Sequence, residues 1–170
     1  MSIANGSVTA PDNAGALPEP GDELTTRGRT ITEADLVSFS SLTGDWHPQH
    51  ADAEWAAAGR FGQRVAHGML ILSYAVGLVP FDPERVVALR GLDSVSFKRP
   101  VAIGDTIRVR TRVDGVRPLD DEHSLVSFAW RVVNQDGRVV ARARVEALWR
   151  TDAGDDSVPE PDLYDGQVLL

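Results

Sequence analysis

The chain has 170 residues, of which 42% are hydrophobic and 25% charged, with a formal net charge of -8. These values are typical of a single globular domain that is long enough to bury a core. The sequence contains no cysteine, which excludes disulfide frameworks, thiolate-ligated zinc and thiol catalysis. No long apolar run and no basic segment followed by an apolar one are visible, so we expect a cytoplasmic protein without a membrane partner.

The negative charge is concentrated at the two ends of the chain. Residues 1–23 contain four acidic residues, residues 151–170 contain six, and neither segment contains Lys or Arg. The middle is therefore slightly basic, which suits an anionic small ligand but not a nucleic acid as the main partner. We interpret residues 1–23 as a flexible leader, 24–150 as the folded domain and 151–170 as an acidic tail whose last few residues could dock somewhere.

The first predicted elements are a strand and a short helix. Residues 24–31 have a strand composition. Thr32 and Asp35 have the spacing of a capping box, so we expect a helix from there to Gly44. Residues 45–51 combine Asp, Trp, His and Pro, and we expect them to form a loop.

Two further helices and a series of strands complete the prediction. A short helix is expected between Asp52, as its N-cap, and Gly59. Residues 67–79 are apolar on nearly all sides, which predicts a buried helix. Asp136-Gly137 is a strong hairpin signal between the last two of four strand-like runs. These runs are residues 86–97, 105–116, 124–133 and 138–149.

This order of elements predicts an α+β fold. Consecutive strands with short links form an antiparallel sheet. The apolar helix is buried only if that sheet curls around it. Such a sheet leaves one edge and one face open, so we expect a homodimer or a larger homo-oligomer.

The chemistry is expected in the segment TGDWHPQHADAEW and at the start of the apolar helix. Asp45, His47, His50 and Asp52 lie within eight positions of one another. The helix start at Gly68 offers free N–H groups and the positive end of the helix dipole. An acid and a base near such donors can activate water and stabilise an oxygen that gains negative charge.

Other interpretations of the same residues were weighed. Asp52 is expected to be an N-cap, and His67 to be hydrogen-bonded at the helix start. The four residues from Asp45 to Asp52 could ligate a metal, since carboxylate and imidazole suit zinc, iron or manganese. No further distant ligand is obvious, and Pro48 keeps the two His off a regular helix, so we predict no metal.

The motifs around these residues resemble those of a known family. TGDWHPQHAD followed by FGQRVAHGML, with FKRPVAIGDTIRVRTRV further on, is similar to the MaoC-like dehydratases and (R)-specific enoyl-CoA hydratases. The resemblance covers about residues 24–150 and implies the hot-dog fold. It implies reversible hydration of a trans-2-enoyl thioester to the (R)-3-hydroxyacyl thioester, as in fatty acid metabolism. The substrate is expected to be an acyl-CoA or an acyl-carrier protein, with no metal or organic cofactor.

The resemblance also implies roles for individual residues. Asp45 and His50 would hold the water together, and the backbone N–H of Gly68 would hold the thioester carbonyl oxygen. His47 replaces an Asn that is frequent in the family, and Ser73 precedes by one turn Val76, which we align with a Ser of some members. The expected substrate-binding residues are His47, His67, Met69, Ser73, Arg60, Lys98 and Arg99, the basic ones for the phosphates of the thioester arm.

Two other functions remain open from the sequence. A thioesterase on the same fold would direct water to the thioester carbon, although the spacing of Asp45, His50 and the HGM motif argues against it. A non-catalytic subunit would bind the acyl thioester or carrier and support an active partner subunit. The presence of both Asp45 and His50 argues against that alternative.

Overall fold

Six strands and four helices are found in residues 17–151, the part of the chain that this computed structural model describes. The strands are β1 (Glu23–Thr25), β2 (Arg29–Thr30), β3 (Val86–Phe97), β4 (Thr106–Pro118), β5 (His123–Val133) and β6 (Val139–Arg150). The helices are α1 (Glu33–Thr43), α2 (Pro48–Ala51), α3 (Ala53–Ala58) and α4 (Gly68–Leu78). Most of the predicted leader and all but the first residue of the predicted tail lie outside the described residues.

The strands form one antiparallel sheet, as the succession of strand-like runs predicts. Their order is β1-β4-β5-β6-β3, and β2 also pairs with β4. The turn between β5 and β6 contains Gly137 at φ +73, and the Gly137 N–H donates to the carbonyl of Asn134 at 3.0 Å. This positive φ is the conformation for which the Asp-Gly pair is selected. The α+β class and the hairpin are therefore confirmed.

The sheet encloses α4 through the alternation that the sequence contains. Ile107, Val109 and Val113 of β4 are buried, whereas the arginines between them are exposed. Phe128 and Trp130 continue the same buried face on β5. The helix contributes Leu70, Ile71, Ala75 and Leu78 to this core. The core therefore lies between the concave face of the sheet and one side of α4.

The expectation that α4 is buried all round is wrong for this chain alone. Met69 is 55% exposed, and Ser73 and Gly77 are exposed one and two turns later. These positions recur every four residues and so share one side of the helix. The sheet covers the opposite side, which leaves this stripe uncovered in the described residues.

Two local expectations also need correction. The strand predicted over 24–31 is interrupted between β1 and β2, where a side chain on Gly28 would lie 2.9 Å from Thr106 Cγ2. The loop predicted over 45–51 contains the helical turn α2, because Pro48 occupies the first helical position and the Asp52 N–H donates to its carbonyl.

A polar cluster anchors the start of α1 to α4. The capping box is confirmed: the Thr32 side chain accepts from the Asp35 N–H, and the Asp35 carboxylate accepts from the Thr32 N–H at 2.7 Å. The same carboxylate accepts from Arg29 at 2.9 Å and from the Tyr74 hydroxyl. Burial raises the pKa of Asp35, but the hydrogen bonds from Tyr74, Thr32 and Arg29 outweigh it and lower the pKa to about 2. The ionised Asp35 carboxylate therefore links α1, β2 and α4 through hydrogen bonds.

Within residues 17–151, none of the helices has the length and apolar composition that crossing a bilayer requires.

Candidate active site

Asp45 lies just after the end of α1, where the chain changes direction. Gly44 caps the helix at φ +77, and its N–H donates to the Ser40 carbonyl. The Asp45 carboxylate accepts from the His47 N–H at 3.2 Å, which holds the side chain across the turn. The side chain remains about half exposed. It can therefore meet a water molecule or a substrate.

His50 is held with one nitrogen bound and the other free for chemistry. It lies in α2, and its Nδ1 donates to the carbonyl of Val65 at 2.6 Å, since a carbonyl can only accept. Burial is the main cause that lowers the pKa of His50, and nearby His67 and His47 lower it further. The Val65 hydrogen bond and Asp45 act in the opposite direction without reversing the shift. The ring is thus kept neutral, with Nε2 as the basic nitrogen.

His67 lies behind Asp45 and His50 and contacts both of them. Its side chain is 3% exposed, and its ring stacks on that of His50 with centroids 3.7 Å apart. Its Nε2–H donates to the backbone carbonyl of Asp45 at 3.1 Å and lies 3.3 Å from Ser40 Oγ. Its Nδ1 is buried and has no partner among the described residues. His67 thus supports Asp45 and His50 but does not reach solvent.

Asp45, His50 and His67 each place one ligand atom within 4.8 Å of the others. A carboxylate oxygen and an imidazole nitrogen at that separation can be bridged by one water. The same three side chains could instead hold a divalent cation, but His67 would then lose its hydrogen bond to the Asp45 carbonyl. His47 and Asp52 do not join the cluster: His47 accepts from the Gln49 N–H, and Asp52 caps α3 by accepting from the Trp55 N–H.

Gly68 begins α4 directly after His67. As the first helical residue, its N–H has no partner within the helix. A Cβ at Gly68 would lie 2.7 Å from Cζ of Phe97, at the end of β3. A side chain at position 68 would therefore displace this half-exposed ring, a contact that the sequence does not reveal.

A cleft of about 650 Å³ opens between α2, the start of α4 and the end of β3. Six of the expected site residues line it: His50, Arg60, Gly68, Met69, Lys98 and Arg99. Asp45 does not line the cleft but lies beside His50, which does. His47 and His67 do not line it, and neither does Ser73, whose hydroxyl donates to the Met69 carbonyl.

Several residues that shape the site carry no sequence signal. Ser40 and Phe39 of α1 approach His67, with the Phe39 ring 5.0 Å from that of His67. Phe61 and Phe97 line the cleft and are 39% and 50% exposed. The spacing of Phe39 and Ser40 before Gly44 marks them only as helix residues. Their role depends on where α1 meets α4.

Comparison with known proteins agrees with this geometry. Residues 16–133 match the family described as "MaoC like domain". Protein MaoC of Klebsiella aerogenes is 46% identical over 93 residues, which is 54% of this chain but only 28% of that protein. The (R)-specific enoyl-CoA hydratase of Rhodospirillum rubrum is 33% identical over 100 residues, 59% of this chain and 67% of the hydratase. The chain thus spans about a quarter of the first relative and about two thirds of the second.

Solved structures support the fold. A monoamine oxidase regulatory protein from Archaeoglobus fulgidus is 37% identical, with a TM-score of 0.75 over 79% of this chain and 92% of that one. RV0216 of Mycobacterium tuberculosis, described as having a double hotdog fold, matches 86% of this chain and 47% of its own with a TM-score of 0.72. At 23% identity the latter bears on the fold alone. The expected hot-dog fold is confirmed.

Proposed function

The chain belongs to the MaoC-like domain family, and from this premise we propose that it catalyses the reversible hydration of a trans-2-enoyl thioester to the (R)-3-hydroxyacyl thioester. The observation that carries the proposal is that His50 and the free helix start at Gly68 line one cleft, while Asp45 lies within 4.8 Å of His50. A water-activating pair and an oxyanion donor are the two parts that such chemistry needs.

In the proposed reaction each group has a defined contact with the water or with the substrate. Asp45 and His50 hold one water, whose oxygen bonds to C3 of the enoyl chain while a proton is delivered to C2. The thioester carbonyl oxygen gains negative charge in the transition state, and the Gly68 N–H and the dipole of α4 stabilise it there. The lowered pKa of His50 leaves its Nε2 unprotonated, so that His50 can accept the water proton there, or Asp45 accepts it and His50 orients the water. The balance is one water for one carbon–carbon double bond, with no redox change and no cofactor.

The thioester arm is proposed to leave the cleft past its basic wall. The cleft is lined by three basic residues from two distant parts of the chain: Arg60 and the adjacent pair Lys98 and Arg99. Arginine binds phosphate oxygens in bidentate fashion and lysine does so as a point charge. This wall suits the phosphates of coenzyme A or of a carrier-protein arm. An acyl-CoA or an acyl-carrier protein of fatty acid metabolism in the cytoplasm is therefore the proposed substrate.

We also propose that the working form is a homodimer or a larger assembly. Strand β3 is an edge of the sheet, and its Leu89, Leu92 and Val95 are 45%, 39% and 38% exposed. Monomers rarely expose an apolar, unpaired strand edge of 12 residues, because such an edge pairs readily with another chain. The uncovered stripe of α4 at Met69 points to the same need for a second copy.

The test is hydration of crotonyl-CoA, followed by loss of the ultraviolet band of the conjugated enoyl thioester. Asp45→Asn and His50→Gln should each lower kcat by about 100-fold or more, the range of general acid–base catalysis. Asp52→Asn is the matched control, because Asn caps α3 as well as Asp does and the activity should not change.

Three outcomes would refute the proposal. Full activity of folded Asp45→Asn would remove the assigned site. Release of free thiol from acyl-CoA, without hydration, would identify a thioesterase. Inactivity of the purified chain with short, long, branched and carrier-bound enoyl thioesters, reversed by adding a sister subunit, would identify a non-catalytic binding subunit.

A further inference from the structure

The outer face of the sheet carries a dense group of arginines that the proposed reaction does not use. Arg110 of β4, Arg131 of β5 and Arg142 of β6 are direct partners across three neighbouring strands. Arg112 and Arg144 flank this row in the next register, on either side of Ala129. We call these residues, together with Arg108, the arginine face: Arg108, Arg110, Arg112, Arg131, Arg142 and Arg144, all exposed.

The arrangement is unfavourable unless an anion covers it. Partners on adjacent strands are about 5 Å apart, and like charges placed directly opposite destabilise a sheet. Arg112 forms an ion pair with Asp114 at 2.7 Å. Within residues 17–151, Arg110, Arg131 and Arg142 form no ion pair with an acidic side chain. Three adjacent cations without counter-charges form a surface that favours a polyanion.

We propose that the acidic segment 152–170 of the same chain docks on the arginine face. The segment contains six acidic residues, from Asp152 to Asp165, and no Lys or Arg. It follows directly after β6, the strand that carries Arg142 and Arg144. The segment is therefore opposite in charge to the face.

The length of the segment allows this contact. Thr151 lies seven residues beyond Arg144 along β6, or about 23 Å at the rise of a strand. An extended chain covers up to about 3.3–3.6 Å per residue, so Glu160 can return to Arg144 and Asp162 and Asp165 can reach the row at Arg131. Covalent attachment raises the effective concentration of the segment to about the millimolar range. An external anion would have to displace it.

The experiment exploits the absence of cysteine from the chain. Ser157→Cys, carrying a nitroxide spin label in the full chain, should broaden the backbone amide signals near Arg131 and Arg142. We expect an intensity loss of at least about twofold at low salt, because the segment is held at high effective concentration. The loss should disappear near 1 M salt, where the Debye length falls to about 3 Å.

Two charge-matched variants locate the contact. Arg131→Gln combined with Arg142→Gln should abolish the broadening and leave the fold intact, because both side chains are exposed and carry like charges. Arg60→Gln combined with Arg99→Gln removes the same charge from the cleft and should leave the broadening unchanged. Broadening at the cleft, or broadening of the outer face that survives the Arg131 and Arg142 substitutions, would overturn the proposal. So would an unbroadened face whose amide signals shift on addition of polyglutamate, which would assign the face to an external acidic partner.

Discussion

Replacing His67 by Phe should separate the stability of the site from its activity. His67 is 3% exposed, stacks on His50 and donates to the Asp45 carbonyl at 3.1 Å. A Phe ring has a similar shape and can keep the stacking, but it cannot donate this hydrogen bond. The substitution therefore removes the contacts of Nε2 with the Asp45 carbonyl and with Ser40, behind the proposed catalytic pair.

The expected change in the free energy of unfolding is small. The lost hydrogen bond costs about 0.5–1.5 kcal/mol, whereas removing the buried, unpartnered Nδ1 of His67 returns about 1–3 kcal/mol. The second term is the larger, so the variant should be more stable by about 1 kcal/mol, with a Tm rise of about 2–4 °C. His67→Ala would instead leave a cavity and cost about 2–5 kcal/mol.

The activity should fall although the fold is kept. Without the hydrogen bond from His67, the Asp45 backbone is free to move, and a misplacement of about 1 Å can cost about 100-fold in rate. Because His67 does not line the cleft, kcat should fall while KM stays the same. The assays are thermal unfolding and steady-state hydration of crotonyl-CoA.

Ser40→Ala is the matched control, since it removes the 3.3 Å contact with Nε2 and leaves the His67–Asp45 hydrogen bond in place. It should keep most of the activity. A folded His67→Phe variant with unchanged kcat would refute the positioning role of His67. An increase in KM at unchanged kcat would show instead that the ring contacts the substrate.

Three further outcomes are expected. Gly68→Ala should lower stability by about 1 kcal/mol or less, because the new Cβ would lie 2.7 Å from the Phe97 ring but that half-exposed ring can move aside. Phe97→Leu in the same chain should remove this cost in thermal unfolding, and an additive double variant would contradict the clash. The Asp35 carboxyl has a pKa lowered from 3.8 to about 2, so its stabilisation is present above pH 3.8 and is lost as the pH falls through about 2. Asp35→Asn should therefore cost about 1–2 kcal/mol at neutral pH, discounted because Arg29 is half exposed, and the difference from the unmodified chain in chemical denaturation should close in acid. Since burial lowers the pKa of His50 below 6.5, the acidic limb of kcat/KM for hydration should lie below pH 6.5, and a limb above that value would exclude neutral His50 as the required form.

The local elements could be read from the sequence because short-range physics determines them. The capping box at Thr32, the N-cap at Asp52 and the Asp136-Gly137 turn satisfy their own backbone groups within a few residues. The alternation of β4 sorts its valines and arginines between two faces before any contact forms. The prediction is wrong in two places. At Gly28 the predicted strand is interrupted where the backbone passes close to a neighbouring strand, and around Pro48 the predicted loop contains one helical turn.

Some features of the candidate site could likewise be predicted from the sequence, and others could not. Asp45, His50 and Gly68 were singled out by the family resemblance of the motifs around them, and Arg60, Lys98 and Arg99 were candidates because they are basic. The position of His67 behind His50, the carbonyl of Val65 as the partner of Nδ1, and the packing of Phe97 on Gly68 were not recognisable. Each of these contacts joins segments that are between 15 and 29 residues apart.

The sequence by itself therefore determined most element types and the antiparallel pairing, and it indicated candidate residues for the chemistry, since these depend on local periodicity and side-chain type. Only the tertiary structure decided that β3 pairs with β6 rather than with β4, which nitrogen of His50 is free, that Phe97 packs on Gly68, and that Arg110, Arg131 and Arg142 stand in one row. These facts depend on the register between strands and on the angle at which helices meet the sheet. Register and packing are set by the whole core at once, and no single segment encodes them.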